Sequence, residues 1–301
     1  RHRISIREST IAASTGATRM IGAAVDDALD AASLRIMLPM ATRARIATLD
    51  ILDRIDSTNS ELLRRQTSAN GIDALFAESQ TGGRGRHGRA WTSPPGSNLY
   101  LSLARHFDGG LARLGGLSLV VGIAAAEALQ AIGAHSVRIK WPNDLVVHGG
   151  IDEGGALLKL GGVLIEGGVQ DGRPRGVIGL GLNVRMPEES ADAIDQPWTD
   201  LHALLGNALP SRTAIAAAVL AALVDAIDRF DAEGLAPFVP RFDPIDALRG
   251  ADITASVDGV VQAGIANGLH DDGALRLRTG AGETLLHAGE VSLRKRAPTQ
   301  A

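Results

Sequence analysis

The sequence predicts a mixed α/β (α+β) domain followed by a small β-barrel, and three observations carry that reading. From about residue 46 to residue 248, short apolar runs of strand character alternate with helical ones. Within that zone a long helix with a continuous apolar stripe follows Pro210 and Ser211. From Leu248 to Arg296 the period changes to two, with Asp-Gly pairs placed for tight turns.

The elements follow in chain order. Residues 1–45 form an Ala-rich N-terminal segment with a weak helical pattern from Ile21 through Leu38. The apolar run Leu49–Ile55 leads to Asp56-Ser57-Thr58-Asn59, which reads as an N-cap for a helix beginning near Glu61. Leu99–Leu103 is a short strand, Leu117–Ile132 a helix stopped by Gly133, and Val137–Ile139 a strand again. After Ser211 the stripe Ile215, Val219, Leu220, Leu223, Val224, Ile227 and Phe230 is core packing, and Gly234 ends that helix. In the last zone Ile253, Ala255 and Val257 alternate with polar residues before Asp258-Gly259; Leu275 and Leu277, then Val291 and Leu293, repeat the pattern. The expected division is therefore 1–45, 46–248, 249–296 and a tail at 297–301.

Composition narrows the function. The 301 residues are 45% hydrophobic and 21% charged, an ordinary balance for a globular protein, and only 3% aromatic. Cores must therefore be built from Ala, Val, Leu and Ile. A net charge of −4 argues against a general polyanion binder. Without cysteine there are no disulfides or thiolate metal sites, which is compatible with a reducing cytoplasm. No apolar run approaches the roughly 20 residues that span a bilayer, and Arg1–Thr10 does not read as a signal peptide.

Chemistry concentrates in five stretches. In Glu78–Trp91, three arginines and a histidine are interleaved with four glycines. Glycine lets the backbone approach a ligand, and arginine offers a permanently charged fork for phosphate or carboxylate oxygens. The pattern describes a loop that closes over an anion; a repeated, low-complexity RNA-binding segment would look different. Lys140-Trp141-Pro142-Asn143-Asp144 ends a strand and presents Lys, Asn and Asp at its terminus. Lys159 leads into Gly161-Gly162 and an apolar strand, Gly179-Leu-Gly181-Leu-Asn183 is a strand punctuated by glycines, and Asp56–Asn59 is the cap noted above.

Taken in order, these stretches resemble the biotin–protein ligase family, from about Leu49 to Arg296. The resemblance implies a catalytic domain related to class II aminoacyl-tRNA synthetases and a C-terminal SH3-like β-barrel. It implies activation of biotin by ATP, with Mg²⁺, to biotinyl-5'-adenylate, then transfer to a lysine of a biotin carboxyl carrier protein. Ser57, Thr58 and Asn59 would begin the biotin pocket and Gln80 would add a polar contact to its ring. Gly83, Arg84, Gly85 and Arg86 would cover biotin and its activated carboxyl, with Gly162 beside them. Lys159 would bridge the biotin carboxyl and the α-phosphate, and together with Arg84 and Arg86 would offset the charge that develops on the phosphate oxygens. Arg89, Trp91 and Asn183 fall at the adenylate, and Lys140, Asn143 and Asp144 at the phosphate, metal and acceptor-lysine end. Asp144 would orient or deprotonate that lysine, and no residue is assigned as a metal ligand.

Two departures from the family pattern stand out. The segment between Asp144 and Lys159 is longer than a short hairpin, which leaves the register before Lys159 open, and His87 replaces a basic residue. The rivals are a lipoate–protein ligase and a ligase that doubles as a biotin-operon repressor. Asp26-Asp27-Ala-Leu-Asp30 is acidic where a DNA-facing helix should be basic, so DNA is not an expected partner. A cytoplasmic monomer or homodimer is expected.

Overall fold

The structure is a computed structural model that describes residues 27–150, 155–191, 193–257, 260–287 and 291–295. The expectation that the N-terminal segment holds no intact winged helix-turn-helix falls mainly on residues 1–26, outside the described residues.

Two short helices, α1 (Ala31–Met37) and α2 (Met40–Arg45), lead into strand β1 (Ile46–Leu52). Asp30 caps α1, its carboxylate accepting from Ser33 N at 2.7 Å. Ser57 caps α3 (Thr58–Arg64), which starts one turn earlier than the sequence suggested. Then come β2 (Ile72–Ala77), β3 (Leu99–His106), α4 (Leu117–Ala131), β4 (Arg138–Lys140), β5 (Asp144–His148), β6 (Leu157–Gln170) and β7 (Arg173–Leu182). Short helices α5 (Glu188–Ala191) and α6 (Leu201–Leu205) precede the long α7 (Arg212–Glu233), and α8 (Val239–Phe242) follows it. As expected, Ser211 caps α7, accepting from Ala214 N, and Gly234 closes it with φ +75°.

Strands β1 to β7 form one sheet in the order β1-β2-β3-β7-β6-β5-β4, antiparallel except for the β1–β2 pair. Helices α4 and α7 pack on each other, and their side chains share one core with the sheet. The segment Leu111–Ala131 is long and apolar enough to span a bilayer by length and composition alone, contrary to the reading of the sequence. Most of it is buried inside the protein, which is the position of a core helix.

Strand alternation sorts the sheet's two faces. Leu99, Leu101 and Leu103 of β3, and Ile178, Leu180 and Leu182 of β7, enter the α4/α7 core. The opposite face carries Ser102, Gly179 and Gly181, and there α3 packs through Leu62 on Leu75, Ala104 and Val177. That second face holds the cavity described below.

The C-terminal strands are β8 (Asp252–Val257), β9 (Val260–Leu269), β10 (Leu275–Thr279), β11 (Gly282–Leu286) and β12 (Val291–Lys295). They make an antiparallel sheet in the order β11-β10-β9-β8-β12. Val257 pairs with Val260 across the expected Asp258-Gly259 turn, whose two residues lie outside those described. Trp141, 1% exposed, joins the two sheets by donating from Nε1 to Gly273 O at 2.9 Å.

Candidate active site

A cavity of about 550 Å³ opens on the α3 face of the large sheet. Its closed end is polar. Thr58 N donates to Gln80 Oε1 at 2.8 Å, and Gln80 Nε2 donates to Ser93 Oγ at 3.1 Å. Ser57, Thr58 and Asn59 are each 4% exposed at the start of α3.

The glycine-punctuated strand explains itself here. A Cβ on Gly179 would lie 2.5 Å from Asn59 Oδ1, and one on Gly181 would lie 2.5 Å from the Trp91 ring. Strand β7 can therefore press its backbone against the Asn59 amide and the indole only because both positions lack a side chain.

Lys159 reaches the cavity through a β-bulge. Leu145 pairs with Gly161 and Val146 with Lys159, so Leu160 is an extra residue in β6. Leu160, Val163 and Ile165 join the core, while Lys159, Gly162 and Leu164 line the cavity. The bulge thus resolves the register that the long 145–158 segment left open. It also places Lys159 within β6 and not ahead of it. Lys159 Nζ lies 2.8 Å from Asp144 Oδ1 and 5.5 Å from the centre of the Trp91 ring. Both partners of the ion pair stand over Gly162, the residue opposite Asp144 in the β5–β6 ladder.

The Gly-Arg stretch folds as a short hairpin across the cavity. Gly85 N donates to Arg89 O at 2.8 Å and Trp91 N to Gly83 O at 2.9 Å, with His87 at φ +57° and Gly88 at φ +72° making the bend. Two of its cations are held from opposite sides. Arg84 donates to Ser60 Oγ at 2.7 Å and to both Glu166 oxygens at 3.1 and 3.2 Å. Arg86 donates to Asn143 Oδ1 at 3.1 Å, while Asn143 Nδ2 donates to Val163 O at 2.9 Å. Burial lowers the Arg86 guanidinium below the usual arginine value, and nearby Asp144 opposes that shift.

The structure brings most of the expected residues together. Ser57, Thr58, Asn59, Gln80, Arg84, Gly85, Arg86, Arg89, Trp91, Lys140, Asn143, Asp144, Lys159 and Gly162 all line the cavity. Gly83 does not line it but packs beneath Gln80 and Ser93. Asn183 belongs to an adjoining recess with Trp91, Gln196 and Trp198. Its Nδ2 donates to Thr199 O at 3.0 Å.

Three contributors were given no role from sequence: Ser102, Glu166, which closes the Lys159 stretch, and the Asp195–Trp198 wall, where Pro197 O accepts from Lys159 N while Thr199 N, just beyond it, donates to Lys159 O. Ser102 had one available signal, a hydroxyl inside an otherwise apolar strand. Among the described residues, no group of three His, Cys, Asp or Glu gathers to hold a metal ion.

Comparison with known proteins gives the arrangement a family. Residues 51–183 match the model of the biotin/lipoate A/B protein ligase family, and residues 252–294 match that of the biotin protein ligase C-terminal domain. The bifunctional ligase/repressor BirA of Escherichia coli is 38% identical over 245 residues, covering 81% of this chain and 73% of its own length. The biotin–[acetyl-CoA-carboxylase] ligase of Mycobacterium tuberculosis is 33% identical over 272 residues, covering 87% of this chain and 95% of its own. Among solved structures, biotin protein ligase from Aquifex aeolicus in complex with biotin and ATP superposes with a TM-score of 0.69 at 28% identity. That superposition covers 83% of this chain and all of the other. A sheet laid out to expose Lys159, Asp144 and the Gly-Arg hairpin on one cavity, followed by the small β domain, places this chain in the biotin/lipoate A/B protein ligase family, among its biotin–protein ligases.

Proposed function

We infer that the chain is an ATP-dependent biotin–protein ligase, which makes biotinyl-adenylate and passes the biotinyl group to a lysine of a biotin carboxyl carrier protein. One observation carries the reading: a single cavity has a neutral polar end at Thr58 and Gln80 and a charged end at Lys159, Asp144 and Arg86. That polarity suits a molecule with a polar, uncharged ring at one end and a carboxylate at the other. The buried Trp91 Nε1, which no described group accepts from, is a donor that a bound oxygen would complete.

The carboxylate must attack the α-phosphorus of ATP and expel pyrophosphate, and both reactants are anionic. Lys159 and Arg86, which line the same cavity, would offset the charge that builds on the phosphate oxygens. Because Asp144 neutralises Lys159 before ligands arrive, the ammonium is held in place and exchanges one anion for another. After activation Asp144 is freed to orient the acceptor lysine and take up its proton. Mg²⁺ would enter with the triphosphate, whose oxygens hold it. Asn183 serves the adenine end through its carbonyl oxygen, since its two amide protons are spent on Thr199 O and Lys159 O.

Incubation with biotin, ATP, Mg²⁺ and a biotin carboxyl carrier domain tests the reading. A gain of one biotinyl group by intact mass is expected. A gain with lipoate and none with biotin would establish the lipoate–ligase alternative, which the polar ring end disfavours because a dithiolane offers no hydrogen-bond donors.

A further inference from the structure

Behind the closed end of the cavity runs a line of hydrogen bonds that the chemistry above does not use. Asn59 Nδ2 donates to Glu166 Oε2 at 2.8 Å, beside the Arg84 contacts on the same carboxylate. Ser102 Oγ, fully buried, lies 2.6 Å from Asn59 Oδ1 and 2.7 Å from Thr58 Oγ1. Thr58, Asn59 and Arg84 line the cavity, whereas Ser102 and Glu166 stand behind them.

Counting protons gives this line a direction. A carboxylate only accepts, so Glu166 obliges Asn59 to turn its NH₂ toward it and its Oδ1 toward Ser102. That oxygen also only accepts, so the single Ser102 proton goes to it. Thr58 Oγ1 must then donate to Ser102, because two oxygens facing each other with lone pairs at 2.7 Å would repel. The alternative contact of the Thr58 hydroxyl, to Gln80 Oε1, is longer at 3.2 Å, and that oxygen is already served by Thr58 N–H. The Gln80 amide is oriented in the same way. Ser93 Oγ donates to Trp91 O at 3.0 Å and therefore accepts from Gln80 Nε2. Thr58 Oγ1 is left with a free lone pair and no free proton.

We propose that Ser102 and Glu166 are positioning residues that set Thr58 as a hydrogen-bond acceptor, so that the closed end of the cavity selects a ring N–H. The inference rests on the ligase reading and deepens it. The ureido ring of biotin carries N–H groups, and a dithiolane ring carries none. Glu166 also ties the Gly-Arg hairpin to this end of the site, because the carboxylate that sets this polarity anchors the loop cation Arg84.

The test is calorimetric binding, without ATP, of biotin and of the two cyclic-carbamate analogues in which one ring N–H is replaced by oxygen. Wild-type protein should favour biotin over at least one analogue by about 10²-fold or more, because an acceptor facing an ether oxygen is left unpaired. Ser102→Ala and Glu166→Gln should each shrink that ratio by about tenfold, the weight of one oriented hydrogen bond. In adenylation the Ser102→Ala effect should fall on KM for biotin more than on kcat. Glu166 has 29% of its side chain exposed, so Glu166→Gln decides the matter if Ser102→Ala does not fold. Ratios within twofold of wild type in variants that still bind biotin would overturn the inference and leave the ligase reading standing. A wild-type protein that does not bind biotin would overturn both.

Discussion

At the scale of single residues, the bulge at Leu160 gives Lys159 its reach and Asp144 its charge partner, so the consequences of losing either side chain can be separated. Lys159→Ala should slow adenylate formation by roughly 10²–10³-fold, as for loss of a preorganised oxyanion contact. Transfer from added biotinyl-adenylate should suffer far less, because the phosphoryl step is then complete. Stopped-flow measurement of the two half-reactions checks this; an adenylation rate within about threefold of wild type would count against the assigned role. Gly179→Ala is a second probe. Its methyl would sit 2.5 Å from Asn59 Oδ1, so the amide must move or the strand must bend. A loss of about 1–3 kcal/mol in chemical denaturation is expected, with a weaker affinity for biotin. Unchanged stability and affinity would mean that Asn59 has room to give. The arginines stand out because they sit in a dense local pattern, whereas Lys159 and Asp144 stand out only through the order of the stretches that carry them, since alone each reads as an ordinary strand-end residue. Ser102 was not legible: its meaning lies in Asn59 and Thr58, more than forty positions away, and no local pattern records that meeting.

Whole elements were legible where their signal is local. The α7 cap at Ser211 and its stop at Gly234 follow from neighbouring residues alone, and so do α4 and the alternation of β8. The bulge in β6 could not be read, because the parity of a strand face depends on which partner residue is skipped, and the long 145–158 segment hid that pairing. For the Gly-Arg hairpin, sequence and structure together set an expectation. Four glycines in the eight residues Gly82–Arg89 favour disorder, while the Arg84–Glu166 and Arg86–Asn143 bonds and two backbone bonds oppose it. Arg84 is 39% exposed in that pair, so the contact is worth only a fraction of a kcal/mol to about 1 kcal/mol. The hairpin should therefore open readily until a ligand anion adds to its bonds. Trypsin should cut after Arg84 and Arg86 in the free protein, and biotin with ATP should slow that cleavage by about tenfold or more. Equal cutting with and without ligands would remove the hairpin from the closing role.

Across the whole molecule, the small β sheet is fastened to the β4–β5 hairpin that delivers Lys140, Asn143 and Asp144. Trp141 bonds to Gly273, and Ala247 N donates to Ile139 O at 2.9 Å, so the chain pairs with β4 as it leaves the large sheet. Asp246 sits in that seam, 9% exposed, with Oδ1 accepting from Leu248 N at 2.8 Å and Oδ2 unpartnered. Burial raises its carboxyl to about 6, with Asp243 adding to the rise while the Leu248 amide and Arg249 oppose it. Between the unfolded value near 3.8 and the folded value near 6, the folded protein binds more protons, so stability falls as pH rises through that window. Above it the ionised Asp246 lowers stability by an amount on the order of 3 kcal/mol at most, the free energy that separates those two values. Asp246→Asn keeps an acceptor for Leu248 N and removes the charge. It should raise the melting temperature at pH 7–8 by several degrees, with the gain shrinking as pH falls toward 4, where the wild-type carboxyl is also neutral. Melting curves of both proteins from pH 4 to 8 make the comparison. A difference that stays constant across that range would show that Asp246 acts through packing or hydrogen bonding and not through its buried charge. A gain confined to high pH would show that the seam between the two sheets carries an electrostatic strain that this fold tolerates at neutral pH.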